Sequence, residues 1–152
     1  MTTYQNFSKP NKLEILQKLI EKSVTKGFDA SIGIKYTYIS PDKVEASLNI
    51  NDSLHQPAGI VHGGVLSAIV ETAGSVGGSA WLCEKEWDAL FVGTSNSTDF
   101  IRPISTGVLN ILAVPIQRGR TIQLWEISIK DSHNKLIATG RLKGQNVNSD
   151  KE

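Results

Sequence analysis

The stretch His62-Gly63-Gly64-Val65-Leu66-Ser67-Ala68-Ile69-Val70-Glu71-Thr72-Ala73-Gly74-Ser75-Val76 decides the fold. It is long enough for a helix, and it is small or apolar on nearly every face. A helix without a polar face is buried on all sides, so the rest of the chain must wrap it. Glu71 is the exception, about two turns in.

The flanks supply the wrapping. Downstream, four strands are predicted near 89–100, 107–116, 121–130 and 135–144, the last two joined by the turn Asp131-Ser132-His133-Asn134. Upstream, Ile32, Ile34, Tyr36 and Tyr38 alternate with polar or small residues, and so do Val44, Ala46, Leu48 and Ile50. The turn Ser40-Pro41-Asp42-Lys43 between them makes an antiparallel hairpin with one wet face. Residues 51–61 connect this hairpin to the central helix. Before it, Leu13, Leu16, Leu19, Ile20 and Val24 recur at helical spacing, with Asn11 and Glu14 as a capping pair and Gly27 as a stop. Residues 1–9 are polar and expected to be loosely held. The class is therefore α+β: a long buried helix wrapped by a curved six-stranded antiparallel sheet, with an extra N-terminal helix. Such a sheet leaves an edge that a second copy can cover.

Composition narrows the function classes. At 152 residues the chain suits a single domain over 1–152. A net charge of +1 offers no general attraction to nucleic acid or anionic lipid. The most apolar stretch, 65–82, is broken by Glu71 and several Ser, Thr and Gly, so no membrane span is expected. The first residues lack the features of a secretory signal, and a cytoplasmic location is expected. The lone Cys83 excludes an intramolecular disulfide and reads as an inert buried thiol.

Few residues can carry chemistry. An ionised carboxylate inside an apolar helix is costly unless compensated, and buried titratable groups concentrate at sites, so Glu71 leads. The competing reading has it facing a wet groove, or paired with Arg102 or Arg141. Gly63 and Gly64 open the helix, where unpaired N–H groups can stabilise an oxyanion if a ligand approaches closely; otherwise they merely permit a tight turn. Gln56 can donate to a carbonyl, and His62 can donate or shuttle a proton, although a His at a helix start is often only a cap. Ser75 follows Glu71 by one turn, and in isolation it reads as a small packing residue. The run 73–77 lacks the first glycine of a nucleophile elbow, and His55, His62 and His133 lack zinc-helix spacing.

Taken together, Gln56, Pro57, Gly59, His62, Gly63 and Gly64, followed by Glu71, resemble the signature of hotdog-fold acyl-CoA thioesterases. The match is to the branch acting on 4-hydroxybenzoyl-CoA or 1,4-dihydroxy-2-naphthoyl-CoA, within the PaaI-like group, and covers about residues 28–146. The resemblance implies Glu71 as nucleophile or general base, the Gly63 N–H polarising the thioester carbonyl with Gln56 assisting, and His62 and Ser75 as supporting groups. It implies CoA contacts at Gly64, at Gly93, Phe100 and Arg102, and at Arg118, Gly119, Arg120 and Thr121. Two arginines flanking a glycine also suit phosphate oxygens on chemical grounds, although either can equally be a solvated hairpin tip. Phe100 stands where the relatives often carry His, and Ala58 where they carry an aromatic. The resemblance further implies an acyl-CoA substrate, no metal or other cofactor, and a homodimer or homotetramer with active sites at the subunit interface. The alternatives are an acyl-CoA-binding module without hydrolysis and, last, a hydroxyacyl-thioester dehydratase, whose His-to-acid spacing is usually longer.

Overall fold

The computed structural model describes residues 11–23 and 25–148. Val24 and the segment 1–9 lie outside them. Helix α1 (Lys12–Ser23) starts where the Asn11 side chain accepts the Glu14 N–H at 2.8 Å, as the capping pair predicts. Strands β1 (Ile34–Ile39) and β2 (Val44–Asn49) form the expected hairpin. Helix α3 (Gly63–Glu84) follows a short turn at Asp52–Leu54. Strands β3 (Ala89–Phe100), β4 (Val108–Arg118), β5 (Ile122–Lys130) and β6 (Leu136–Asn148) complete the described chain.

Two local expectations are corrected. Ile32 does not begin β1; it ends a five-residue helix, α2 (Phe28–Ile32), closed by Gly33 in the left-handed region at φ 78°. Gly27 does not stop the first helix, which ends at Ser23, but serves as the N-cap of α2 at φ 89°. Alternation of Ile32 with Ile34 looks like strand, yet the positive φ of Gly33 breaks the extended backbone.

The sheet order is β1-β2-β4-β5-β6-β3, with every neighbouring pair antiparallel. β3 thus lies at an edge beside β6 rather than next to β4, its successor in sequence. Helix α3 lies across the inner face. Ile69, Val70 and Ala73 meet a fully buried layer of Val44, Ala113, Trp125, Ile127, Ile129 and Leu142. Each large apolar side chain in this layer contributes roughly 1.5–3 kcal/mol of burial.

The helix continues well past Val76 because its later turns are tailored to the sheet. A Cβ on Gly77 would sit 2.6 Å from the buried Trp125 ring, and one on Gly78 the same distance from Phe91. The glycines therefore set how closely the helix approaches the sheet. α3 is not uniformly buried: Ser67, Glu71, Ser75, Ser79 and Cys83 are only half-buried. Several of these lie along the seam where α3 runs antiparallel to β3.

Candidate active site

Three points define that seam. Gly63 lies against the Phe100 ring, Asn96 donates its side-chain amide to the Ser67 carbonyl at 2.9 Å, and Gly78 lies against Phe91. Between the last two, Glu71 turns toward β3. Its Oε1 occupies the space a Cβ on Gly93 would take, and Asn96 Nδ2 reaches Oε2 at 3.4 Å. β3 carries a bulge between Gly93 and Ser95, next to this contact. Neither arginine considered as a partner reaches Glu71: Arg102 donates to the Leu136 carbonyl at 3.0 Å, and Arg141 lies 3.9 Å from Glu126. Ser75 sits half-buried one turn beyond Glu71.

The helix start forms a second group. His62 is the N-cap of α3, its Nδ1 accepting the Gly64 N–H at 2.8 Å. In the neutral ring the proton then sits on Nε2. The Gly64 N–H is thereby occupied, whereas no acceptor among the described residues takes the Gly63 N–H. The preceding loop is closed by the Gln56 N–H donating to the Ile60 carbonyl at 2.8 Å and the His62 N–H to Leu54 at 2.8 Å. Its position puts Gln56, Gly63, Leu66, Phe100 and Arg102 around one cleft of about 230 Å³.

The basic tip divides. Arg118 donates to the Pro41 carbonyl at 2.7 Å and to Asp42 at 2.9 Å, and lies 5.9 Å over the Trp81 ring. It is tied into the hairpin turn. Arg120 is exposed and, with Thr121, Trp87, Asp88 and Asn146, lines a polar cleft of about 860 Å³. Asn146 holds this tip by donating to the Gly119 and Arg120 carbonyls at 3.0 and 2.9 Å. Behind it, the fully buried Gln123 donates to Asn146 and to the Gly78 carbonyl, and accepts from Trp125.

The sequence-predicted residues thus separate into the helix-start group, the Glu71 group and the Arg120 tip, spaced along β3 from its Phe100 end to its Ala89 end. Eight residues at 1.5 Å each put Glu71 about 12 Å along the axis from Gly63. Asn96, Asn146 and Gln123 were missed by sequence reasoning. None of them carries a local signal: the polar run Ser95-Asn96-Ser97-Thr98 reads as an ordinary solvated edge strand. Cys83 is half-buried, and burial pushes its thiol up, against a weaker opposing pull from Lys12. Among the described residues no cluster of three His, Cys, Asp or Glu is placed to hold a metal ion, and no helix is long and apolar enough to cross a membrane.

A long helix on a six-stranded antiparallel sheet, with a carboxylate in the helix and a glycine pair at its start, defines a hotdog-fold thioesterase. Comparison with known proteins agrees: residues 58–138 match the thioesterase superfamily, and the chain belongs to that family of thioester hydrolases. It is 34% identical over 131 residues to the proofreading thioesterase EntH of Klebsiella pneumoniae, covering 86% of this chain and 93% of that one. The protein Rv1847 of Mycobacterium tuberculosis is 38% identical over 125 residues, 82% of this chain and 89% of its own. The crystal structure of thioesterase HI1161 from Haemophilus influenzae superimposes with a TM-score of 0.78 at 32% identity, over 99% of this chain and 96% of that one.

Proposed function

We propose that this thioesterase hydrolyses aromatic or medium-chain acyl-CoA to the free acid and CoA, with Glu71 as the reacting carboxylate. The observation that carries the proposal is the placing of Glu71 in the seam, wedged over Gly93 and held by Asn96. From there it either takes a proton from water as the hydroxide attacks the thioester carbon, or attacks that carbon itself. The negative charge that develops on the carbonyl oxygen needs donors, which the Gly63 N–H and the Gln56 amide supply at the helix start. The C–S bond then breaks, and the CoA thiolate leaves and takes up a proton; on the second route water then hydrolyses the acyl–Glu71 anhydride, releasing the acid and restoring the carboxylate.

Glu71 and the Gly63 N–H are about 12 Å apart along one helix, too far to act on one carbonyl. The separation supports an active unit of two copies. β3 is an edge strand, and a second β3 pairing antiparallel to it, with Gly93 facing the partner's Phe100, brings Glu71 opposite the partner's Gly63. The same symmetry carries Arg120, beside the Ala89 end, toward the partner's Arg102, where the two can share the CoA phosphates. The N-cap bond of His62 leaves its Nε2–H to orient the substrate or the leaving thiolate. The test is release of free thiol from a panel of aromatic and aliphatic acyl-CoAs. Turnover of at least one class supports the proposal; tight binding without turnover across the panel would make the chain an acyl-CoA-binding module.

A further inference from the structure

A hairpin tip is ordinarily a loose part of a sheet, because its backbone groups bond mostly to water. The tip between β4 and β5 is different: all three of its carbonyls accept from one residue of β6. Asn146 Nδ2 donates to Gly119 at 3.0 Å and to Arg120 at 2.9 Å, and the Asn146 N–H donates to Thr121 at 2.8 Å. The tip also closes on itself, the Gly119 N–H donating to the Ile122 carbonyl at 2.8 Å. Two carbonyl acceptors take both Nδ2 protons, which fixes the orientation of the Asn146 amide and leaves it no proton for a ligand. This side chain lines the cleft, but it acts on the chain.

Asn146 itself rests on a rigid base. Its Oδ1 accepts from the fully buried Gln123 at 2.7 Å; the same Gln123 amide donates to the Gly78 carbonyl of α3 at 3.3 Å and accepts from the buried Trp125 Nε1–H at 2.9 Å. A buried amide network with every member paired stiffens what it holds. Arg120 is the tip residue that needs stiffening. The cleft it lines also contains Glu86 and Asp88, and among the described residues it pairs with neither. On a loose tip the guanidinium could swing onto those carboxylates and be lost to a phosphate. We propose that Asn146, seated on Gln123, is a positioning residue for nucleotide binding: it pins the tip so that Arg120 stays aimed at the phosphates of CoA. This rests on the reading of Arg120 as a phosphate contact, and it adds the element that makes that contact specific.

The test compares an S-alkyl-CoA thioether, which lacks the carbonyl and binds without turnover, with the matching S-alkyl-pantetheine, which lacks the nucleotide and its phosphates. Calorimetric affinities are measured for the wild type, Asn146→Ala, Arg120→Ala and the double variant. Arg120→Ala should weaken the CoA ligand about tenfold, the scale of a hydrogen bond to a charged group. Asn146→Ala should weaken it about three- to tenfold. The double variant should bind no more weakly than Arg120→Ala, since a pin without its arginine has nothing to aim. Affinity for the pantetheine ligand should stay level throughout, and hydrogen exchange at residues 119–121 should quicken in ligand-free Asn146→Ala. Gln123→Met is the second variant: it removes the base while leaving Asn146 in place, and should weaken the CoA ligand in the same way. Wild-type affinity in both folded variants overturns the proposal. So does an equal loss for the two ligands, an additive loss in the double variant, or unchanged exchange at the tip. Wild-type affinity in Arg120→Ala, by contrast, overturns the reading of that arginine and this inference with it.

Discussion

Glu71 and Gly93 interlock: the carboxylate of the helix lies in the volume that a side chain on the strand would fill, with its Cδ 3.1 Å from that Cβ position. One residue supplies the charge, and the other supplies the absence of atoms that lets the charge reach the sheet edge. Gly93→Ala should therefore displace the carboxylate, the flexible end of its side chain, and leave the core intact. We expect kcat to fall roughly 10²-fold, as for a misplaced reacting group. Tm should stay within about 4 °C of wild type, equivalent to ~1 kcal/mol or so. Wild-type kcat in Gly93→Ala would show that the position of Glu71 is not tuned by this contact.

If each site is built from two copies, two crippled chains can repair each other. Gln56→Ala alone should lower kcat about 10²–10³-fold, the usual cost of an oxyanion donor. Mixing it with Glu71→Gln after mild dissociation should restore activity toward one quarter of wild type for random pairing, since half the dimers are mixed and each carries one intact site. No recovery on mixing, with exchange verified by tagged chains, would place the whole site in one chain.

The two arginines of the tip should behave differently. Arg120→Ala should raise KM for CoA thioesters without changing it for N-acetylcysteamine thioesters, which lack the nucleotide. Arg118→Ala removes bonds to Pro41 and Asp42, so it should lower Tm by about 2–4 °C, for roughly 1 kcal/mol, with KM little altered. Reversed behaviour of the two variants would reassign the phosphate contact to Arg118.

Cys83 should be slow to alkylate. Burial raises its thiol above the ordinary range, so the reactive thiolate is scarce at neutral pH and accumulates only in more alkaline solution. Iodoacetamide labelling followed by mass spectrometry should show a rate at pH 8 well below that of an unfolded control, rising as pH increases. Rapid labelling at pH 7 would indicate an activated thiol.

Much of the architecture is legible in local pattern. Period-two alternation gives the β1–β2 hairpin, and the apolar run from Val65 gives the buried helix. The order of the sheet is not, because alternation describes a strand's two faces and says nothing about its neighbours; β3 pairs with β6, from Phe100 opposite Ala138 to Ala89 opposite Asn148, far apart in the chain. The short helix ending at Ile32 is hidden because Ile32 and Ile34 alternate as in a strand while the backbone turns at Gly33. At the site, Glu71 stands out as a carboxylate in an apolar run, and Gln56 and Gly63 through their place in the motif that leads into that helix. Asn96, which steadies Glu71, does not, since a polar residue on an edge strand looks like any solvated one. Gln123 is likewise silent: an amide buried by partners distant in sequence has no local signature.

The central claim is that Glu71 does the chemistry. Glu71→Gln keeps the size of the side chain and can still hydrogen-bond Asn96, but removes the charge that attacks or deprotonates. The decisive measurement is kcat for thiol release from the wild type's best acyl-CoA, made on folded Glu71→Gln protein whose affinity for the matching S-alkyl-CoA is confirmed. A fall of at least ~10²–10⁴-fold with binding retained is the expected result. Near-normal turnover by that protein would contradict it.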